Sequence, residues 1–357
     1  MIKEFVSRCL AGLLAIVMGA AAPVSPEVPM GGSSPEQLER PENSTFSIRF
    51  IDVGQADSAL VECDGHFMLI DGGNVDDSRL IYSVLKDTGV SKLDIVVGTH
   101  PHEDHIGGLA GALNYADADL VLCSSTNYDT EAFRNFKKYA ELNGGGIKVP
   151  SVGDQFTLGS ARVEILGLNA GGVQGENDDS IVLKINYGKT SFLFCGDAER
   201  EAEQVILDSG ADLTATVLKV GHHGANDSTT YPFLREIMPE YAVISVGKDN
   251  SYGHPHENTL SRLKDAGVTV YRTDQQGDIV CVSDGERVTF TVEQTSESSD
   301  NILISQGEYV LNTNTKKFHV PSCNSVDKMS EKNKAYYNGT RDEVISLGYS
   351  PCGNCRP

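Results

Sequence analysis

The stretch Leu93-Asp-Ile-Val-Val-Gly-Thr-His-Pro-His-Glu-Asp-His105 decides how this chain is read. Leu93 to Thr99 is a short apolar run and reads as a buried strand. Four residues with metal-binding side chains then fall within six positions: His100, His102, Asp104 and His105. A single His at a strand end is more often packed or solvated than a ligand. Four such residues after one buried strand point to metal binding, because loops at strand ends on a rigid sheet hold ligands well. His-x-His on a tight loop aims two imidazoles at one ion, and Asp104 and His105 can aim at a second. Imidazole and carboxylate suit Zn²⁺, and also Mn²⁺ or Fe.

The other histidines repeat the placement. His222 and His223 are adjacent, and His254 and His256 are two apart. Each group follows another predicted buried strand. Working outward, Thr45 to Val53 alternates as a half-buried strand. Ser58 to Cys63 and His66 to Ile70 form a hairpin over Asp64-Gly65. Ser180 to Tyr187 and Ser191 to Phe194 form another over Gly188-Lys189. Strands are expected at Ala161 to Leu168, Ala215 to Val220, Tyr241 to Val246, Thr269 to Arg272, Asp278 to Ser283 and Arg287 to Glu293. Helices are expected at Leu80 to Lys86, Thr130 to Leu142, Glu199 to Leu207 and Asn258 to Ala266. In both halves of residues 45–293, hairpins come first and strand–helix alternation follows. Two mixed sheets with helices outside satisfy that pattern.

The chain has 357 residues and a mass of 38.4 kDa, room for one large two-sheet domain and a small one. Hydrophobic residues at 39% exclude disorder for the bulk of it. The net charge of −21 argues against a broad basic surface for nucleic acid. It leaves a nucleic-acid substrate open, since bound metal ions supply local positive charge. Lys3 and Arg8, apolar Cys9 to Met18, small Gly19 to Ala22 and then Pro23 read as an export signal over 1–23. An anchoring helix is the competing reading, disfavoured by the short apolar stretch. Residues 24–44 read as a flexible leader. Of 8 Cys, Cys63, Cys123, Cys195 and Cys281 lie in or beside strand-like runs and read as buried thiols.

The residues resemble a known family. His-x-His-x-Asp-His is the signature of metallo-β-lactamase-fold hydrolases. Phe50-Ile-Asp-Val-Gly-Gln-Ala-Asp57, Ile70-Asp-Gly-Gly73, Asn177-Asp-Asp-Ser180, Cys195-Gly-Asp-Ala-Glu199, Lys219-Val-Gly-His-His-Gly224, Tyr252-Gly-His-Pro-His256 and Tyr271-Arg-Thr-Asp-Gln-Gln-Gly277 resemble the extracytoplasmic hydrolase domain of the ComEC DNA-uptake family. Ala56 stands where that family usually has Gly. The resemblance implies an α/β fold, an αββα sandwich, over residues 45–293. It implies two divalent ions, Zn or Mn: His100 and His102 on the first, Asp104 and His105 on the second, with Asp197 bridging. One of His222 and His223 would complete the second ion, with His222 favoured because it comes first off the strand. The wider superfamily has a further His before the bridging Asp. This chain has none between His105 and His222, and Asn177 is the residue its matching block offers for the first ion. Asp104 or Asp197 would orient the nucleophile, a hydroxide activated by the two ions. His254 and His256 would donate to phosphoryl or leaving oxygens, or else form a structural turn around Pro255. Asp57 and Asp71 would hold ligand imidazoles from behind, or else cap turns.

Residues 294–308 read as a linker, and 309–357 as a separate small unit. Phe318-His-Val-Pro-Ser-Cys323 and Pro351-Cys-Gly-Asn-Cys355 have the spacing of a structural zinc site. His319, Cys323, Cys352 and Cys355 would hold one Zn; a disulfide among the cysteines is the alternative. The segment resembles the metal-binding module of the Ada alkylation-repair family, which usually has Cys where His319 stands. Seven Lys and Arg make this the least acidic part of the chain. The combined expectation is a secreted metal-dependent phosphodiesterase or nuclease acting on DNA. The alternatives are a phosphoesterase on a cell-wall or small phosphodiester substrate, and a binding protein with a degenerate site. Contact with the cell envelope stays open, and no transmembrane partner is implied.

Overall fold

The structure is a computed structural model that describes residues 43–168, 177–292, 307–321, 323–339, 344–345 and 347–352. The expected signal (1–23), nearly all of the leader (24–44) and of the linker (294–308), and Cys355 lie outside the described residues.

The chain lays down β1 (Phe46–Phe50), the hairpin β2 (Ser58–Cys63) and β3 (His66–Gly72), helix α1 (Ser78–Asp87) and β4 (Lys92–Gly98). Then come α2 (Glu103–Ile106), α3 (Leu109–Tyr115), β5 (Asp117–Cys123), α4 (Glu131–Asn143) and β6 (Ile147–Lys148). The second half runs through β7 (Gln155–Leu158), β8 (Ala161–Gly167), β9 (Val182–Tyr187), β10 (Thr190–Phe194), α5 (Arg200–Ser209) and β11 (Val217–Lys219). It continues through α6 (Tyr231–Ile237), β12 (Tyr241–Ile244), α7 (Glu257–Asp265), β13 (Thr269–Arg272) and α8 (Thr273–Gln276). Strands β14 (Ile279–Ser283) and β15 (Val288–Val292) return to the first sheet.

Two sheets result, in the orders β15-β14-β1-β2-β3-β4-β5-β6 and β13-β12-β11-β10-β9-β8-β7. Strand alternation sorts their side chains into layers. Ile95 and Val97 face Phe192 and Phe194 in the core between the sheets, with Met68, Ile70, Leu183 and Ile185. Val96 and Leu69 point the other way, under α1, α3 and α4. Leu193 and Leu218 point under α5, α6 and α7. Helices thereby pack on the outer face of each sheet, which makes the expected αββα sandwich. The free thiols of Cys63, Cys123, Cys195 and Cys281 are buried in these three cores. Burial pushes the Cys123 thiol up to about 12.

Strands β3, β4 and β5 run parallel, as do β10, β11, β12 and β13. Their carboxyl ends, and the loops leaving them, supply the chemistry-bearing side chains. The tail forms its own small sheet of β16 (Gly307–Asn312), β17 (Lys317–His319), β18 (Lys334–Gly339) and β19 (Ser350–Pro351), with the short helix α9 (Asn324–Asp327).

Candidate metal centre

Strand β4 ends at Gly98 and leads through Thr99 and His100 into α2, for which His102 is the N-cap. Asp104 and His105 therefore sit in a first helical turn pressed against the strand ends. Asp197 leaves β10 through Gly196, whose φ of +53° lies in the left-handed region. A Cβ there would meet Ser180 Oγ at 2.9 Å and Thr99 Cβ at 3.0 Å, so glycine is what lets Asp197 approach β4. His222 and His223 follow β11 in a tight turn, Gly221–Gly224, with φ of 49° and 51°.

These turns bring Asp104, His105, Asp197 and His223 together, with ligand atoms all within 4.8 Å of one another. His105 Nε2 lies 3.2 Å from Asp197 Oδ1. His223 Nε2 lies 3.3 Å from Asp104 Oδ2 and 3.8 Å from Asp197 Oδ2. His105 Nε2 and Asp197 Oδ1 are buried without a hydrogen-bond partner. An unsatisfied buried nitrogen and carboxylate oxygen are costly in a protein interior. A divalent cation between them removes that cost, so the donor set fits a metal.

Each ring is held from behind. Asp71 Oδ2 is 2.9 Å from His105 Nδ1, and Asp71 accepts hydrogen bonds from Thr99 N (2.8 Å) and Thr99 Oγ1 (2.9 Å). His223 Nδ1 lies 3.1 Å from the Ser245 carbonyl oxygen and 3.2 Å from Asp57 Oδ1. Asp57 pairs with the buried Lys219 ammonium at 2.6 Å. Burial opposes its charge, but Lys219 and His223 outweigh burial and hold the Asp57 carboxyl down at about 2. Burial likewise opposes charge on His223, yet Asp197 and Asp57 raise it to about 10. The carboxylates of Asp57, Asp71, Asp104 and Asp197 gathered here favour positively charged partners.

A model of the metallo-beta-lactamase superfamily matches residues 51–248. The chain belongs to the metallo-beta-lactamase superfamily. It is 29% identical over 255 residues to ComE operon protein 3 of Bacillus subtilis (strain 168), covering 66% of this chain and 33% of that one. It is 30% identical over 239 residues to Competence protein ComA of Neisseria gonorrhoeae, covering 66% and 32%. Recombination protein 2 of Haemophilus influenzae (strain ATCC 51907 / DSM 11121 / KW20 / Rd) is 28% identical over 251 residues, covering 68% and 29%. The chain spans about a third of the length of these curated relatives. No helix among the described residues is long and apolar enough to cross a membrane.

Within this superfamily member, the sequence expectations fall out unevenly. His100 Nε2 and His102 Nδ1 are 2.9 Å apart, and His100 Nε2 is 3.9 Å from Asp197 Oδ2. The place expected for His222 beside Asp104 is taken by His223, a correction that follows from the turn's left-handed backbone. His222 instead sets Nδ1 against Asp227 Oδ1 at 3.1 Å and Glu199 Oε1 at 3.7 Å. Asn177 donates its amide N–H to Glu199 Oε1 (2.7 Å), and its Oδ1 is buried without a partner. The His254 ring centroid lies 5.5 Å from that of His222 and 6.3 Å from that of His223. His256 caps α7, and its Nδ1 accepts from Asn226 N (3.0 Å).

Lys219, Gln55 and Asp227 were given no role by sequence reasoning. Lys219 left one legible signal, a lone charge inside the apolar run Val217 to Val220. Asp227 left none, because its nearness to His222 is made by the turn. In the tail, ligand atoms of His319, Cys323 and Cys352 lie within 4.8 Å of one another.

Proposed function

We propose that residues 45–293 form a metal-dependent phosphodiesterase that cleaves DNA outside the cytoplasm, and that the tail holds one structural zinc through His319, Cys323, Cys352 and Cys355. The observation that carries the catalytic part is the buried pair of His105 Nε2 and Asp197 Oδ1, 3.2 Å apart and with no hydrogen bond to any other group, closed over by Asp104 and His223. Asp104, His105, Asp197 and His223 would hold one divalent ion, and His100, His102 and Asp197 another. Such ions, when bound, make water a better nucleophile near neutral pH and offset charge on phosphoryl oxygens. DNA as the substrate is supported by likeness to proteins named for competence and recombination.

The chain's own groups have separate tasks. Asp71 and Asp57 hold the Nδ1 sides of His105 and His223, so both Nε2 atoms face Asp197. The Asp104 side chain is one-third exposed (33%), which places it at the rim to take a proton from an entering water. Gly247 N can only donate, and it donates to Gln55 Oε1 at 3.0 Å. The Gln55 amide nitrogen therefore donates to His254 Nδ1, 3.4 Å away. That leaves the His254 proton on Nε2, available to a phosphoryl oxygen. The −21 charge predicts weak, salt-sensitive DNA affinity.

The test uses the purified full chain with Mn²⁺ or Zn²⁺, offered linear DNA, bis(p-nitrophenyl) phosphate and phosphorylcholine esters. DNA is expected to be cut, and Asp104→Ala to slow cutting on the order of 10²–10⁴-fold. Turnover of small diesters without DNA cleavage would move the substrate to a wall or small phosphodiester. No turnover of any of them, with intact metal loading, would leave a binding protein.

A further inference from the structure

We propose that the adjacent histidines are divided between the two ions, His222 Nε2 serving the ion of His100 and His102 while His223 Nε2 serves the ion of Asp104 and His105; this rests on the two-ion reading above. Asp197 Oδ2 stands among three imidazole nitrogens: His100 Nε2 at 3.9 Å, His222 Nε2 at 3.9 Å and His223 Nε2 at 3.8 Å. These distances are too long for hydrogen bonds. They approach the separation of about 3.3–3.6 Å between ligand atoms that share a tetrahedral ion with bonds of about 2.0–2.2 Å.

His222 also carries the backing that a ligand imidazole needs. Metal-bound histidines give their other N–H to a carboxylate or a carbonyl, which fixes the tautomer and aims the ring. His105 has Asp71 behind Nδ1 and His223 has Asp57 and the Ser245 carbonyl. His222 has Asp227 at 3.1 Å behind Nδ1, with Glu199 at 3.7 Å. All three rings are thus tethered from outside and turn Nε2 inward.

The backbone agrees. Left-handed φ and ψ at two consecutive non-glycine residues are disfavoured and persist only where the surrounding structure holds them. Here the values are 49° and 47° at His222 and 51° and 24° at His223. The tight turn brings two successive rings to one carboxylate. No histidine lies between His105 and His222, so that interval offers no imidazole to the first ion. Asn177 gives its amide N–H to Glu199, the second carboxylate behind His222, which leaves only its buried Oδ1 for an ion.

The experiment reads metal, not turnover. The full chain is dialysed against graded Mn²⁺, which the thiolate tail disfavours. Bound metal is counted by elemental analysis, and electron paramagnetic resonance reports whether two ions are magnetically coupled. Wild type should hold two coupled ions. His222→Ala should hold one uncoupled ion at close to wild-type affinity for that site. Asp227→Asn should keep both and weaken one about 10–100-fold. Two coupled ions at full affinity in His222→Ala would overturn the proposal while leaving the two-ion reading intact. Loss of both ions from a His222→Ala protein that melts normally would also overturn it. Where His222→Ala does not fold, the Asp227→Asn result decides: unchanged affinity at both sites rejects the proposal. A wild type that never takes a second ion defeats the two-ion reading, and this proposal with it.

Discussion

At Asp64, four hydrogen bonds converge on one carboxylate. Ser44 Oγ (2.6 Å) and Thr45 N (2.9 Å) donate to Oδ1, and Ser160 N (2.9 Å) and Ser160 Oγ (2.6 Å) donate to Oδ2. Asp64 turns the β2–β3 hairpin of one sheet and Ser160 turns the β7–β8 hairpin of the other, so this single side chain ties the sheets together. Burial pushes its carboxyl up, but the bonds from Ser160, Ser44 and Thr45 outweigh burial and hold it well below the usual carboxylate range. Asp64→Asn isolates the charge, because asparagine tolerates the φ of 55° found there. The expected cost is about 1–3 kcal/mol at neutral pH. Because the folded pKa is depressed, this contribution is complete above the unfolded value near 3.9 and fades as pH falls through the folded one. Denaturant melts from pH 7 to pH 2 should therefore show the variant's deficit shrinking. A deficit that grew on acidification would refute the assignment.

Among the elements, α3 is one that the sequence does not announce and that packing creates. Leu109-Ala-Gly-Ala-Leu-Asn-Tyr115 has a glycine at its centre, which lowers helix propensity by about 1 kcal/mol relative to alanine. The reason lies in α1: a Cβ on Gly111 would meet the Ser78 carbonyl oxygen at 2.5 Å and Ser78 Cβ at 2.8 Å. Gly111→Ala should stabilise an isolated helix yet destabilise the protein by about 1–3 kcal/mol, since α1 and α3 must part. A thermal melt checks it, and a rise in Tm would show that the approach of α1 is not needed. Helix α4 is the opposite case. Its start was legible in Thr130, which caps it by accepting from Phe133 N at 3.2 Å, and in the apolar spacing of Phe133, Phe136 and Ala140. Strand β5 was missed because its leading half, Asp117-Ala-Asp119, is polar and exposed on alternate positions while only Val121 to Cys123 is buried throughout.

At the scale of the whole molecule, two stabilising strategies share one chain. Residues 45–292 bury three large apolar clusters. Among the described residues the tail buries two small ones, Val310, Cys323, Val326, Met329 and Cys352 in one and Leu311, Phe318 and Val344 in the other. Cores of that size rarely suffice, and a metal commonly makes up the difference. Treatment with a strong zinc chelator should expose residues 307–352 to limited proteolysis while the two-sheet portion resists. A tail equally resistant with and without the chelator would mean that its folding needs no metal.

The sequence by itself determined most strands of a two-sheet core and that His100, His102, Asp104 and His105 cluster at one strand end. Both properties are local: alternation is read within a strand, and the histidines are neighbours along the chain. Tertiary structure alone decided that His223 rather than His222 joins Asp104, that Lys219 neutralises Asp57, and that Asp227 stands behind His222. Those pairings join residues far apart in sequence, or depend on a turn whose backbone is left-handed at two non-glycine residues. No propensity or spacing encodes such a turn. It persists because the packing of β10, β11 and β12 fixes its ends and the convergence of buried carboxylates and imidazoles fixes its rings.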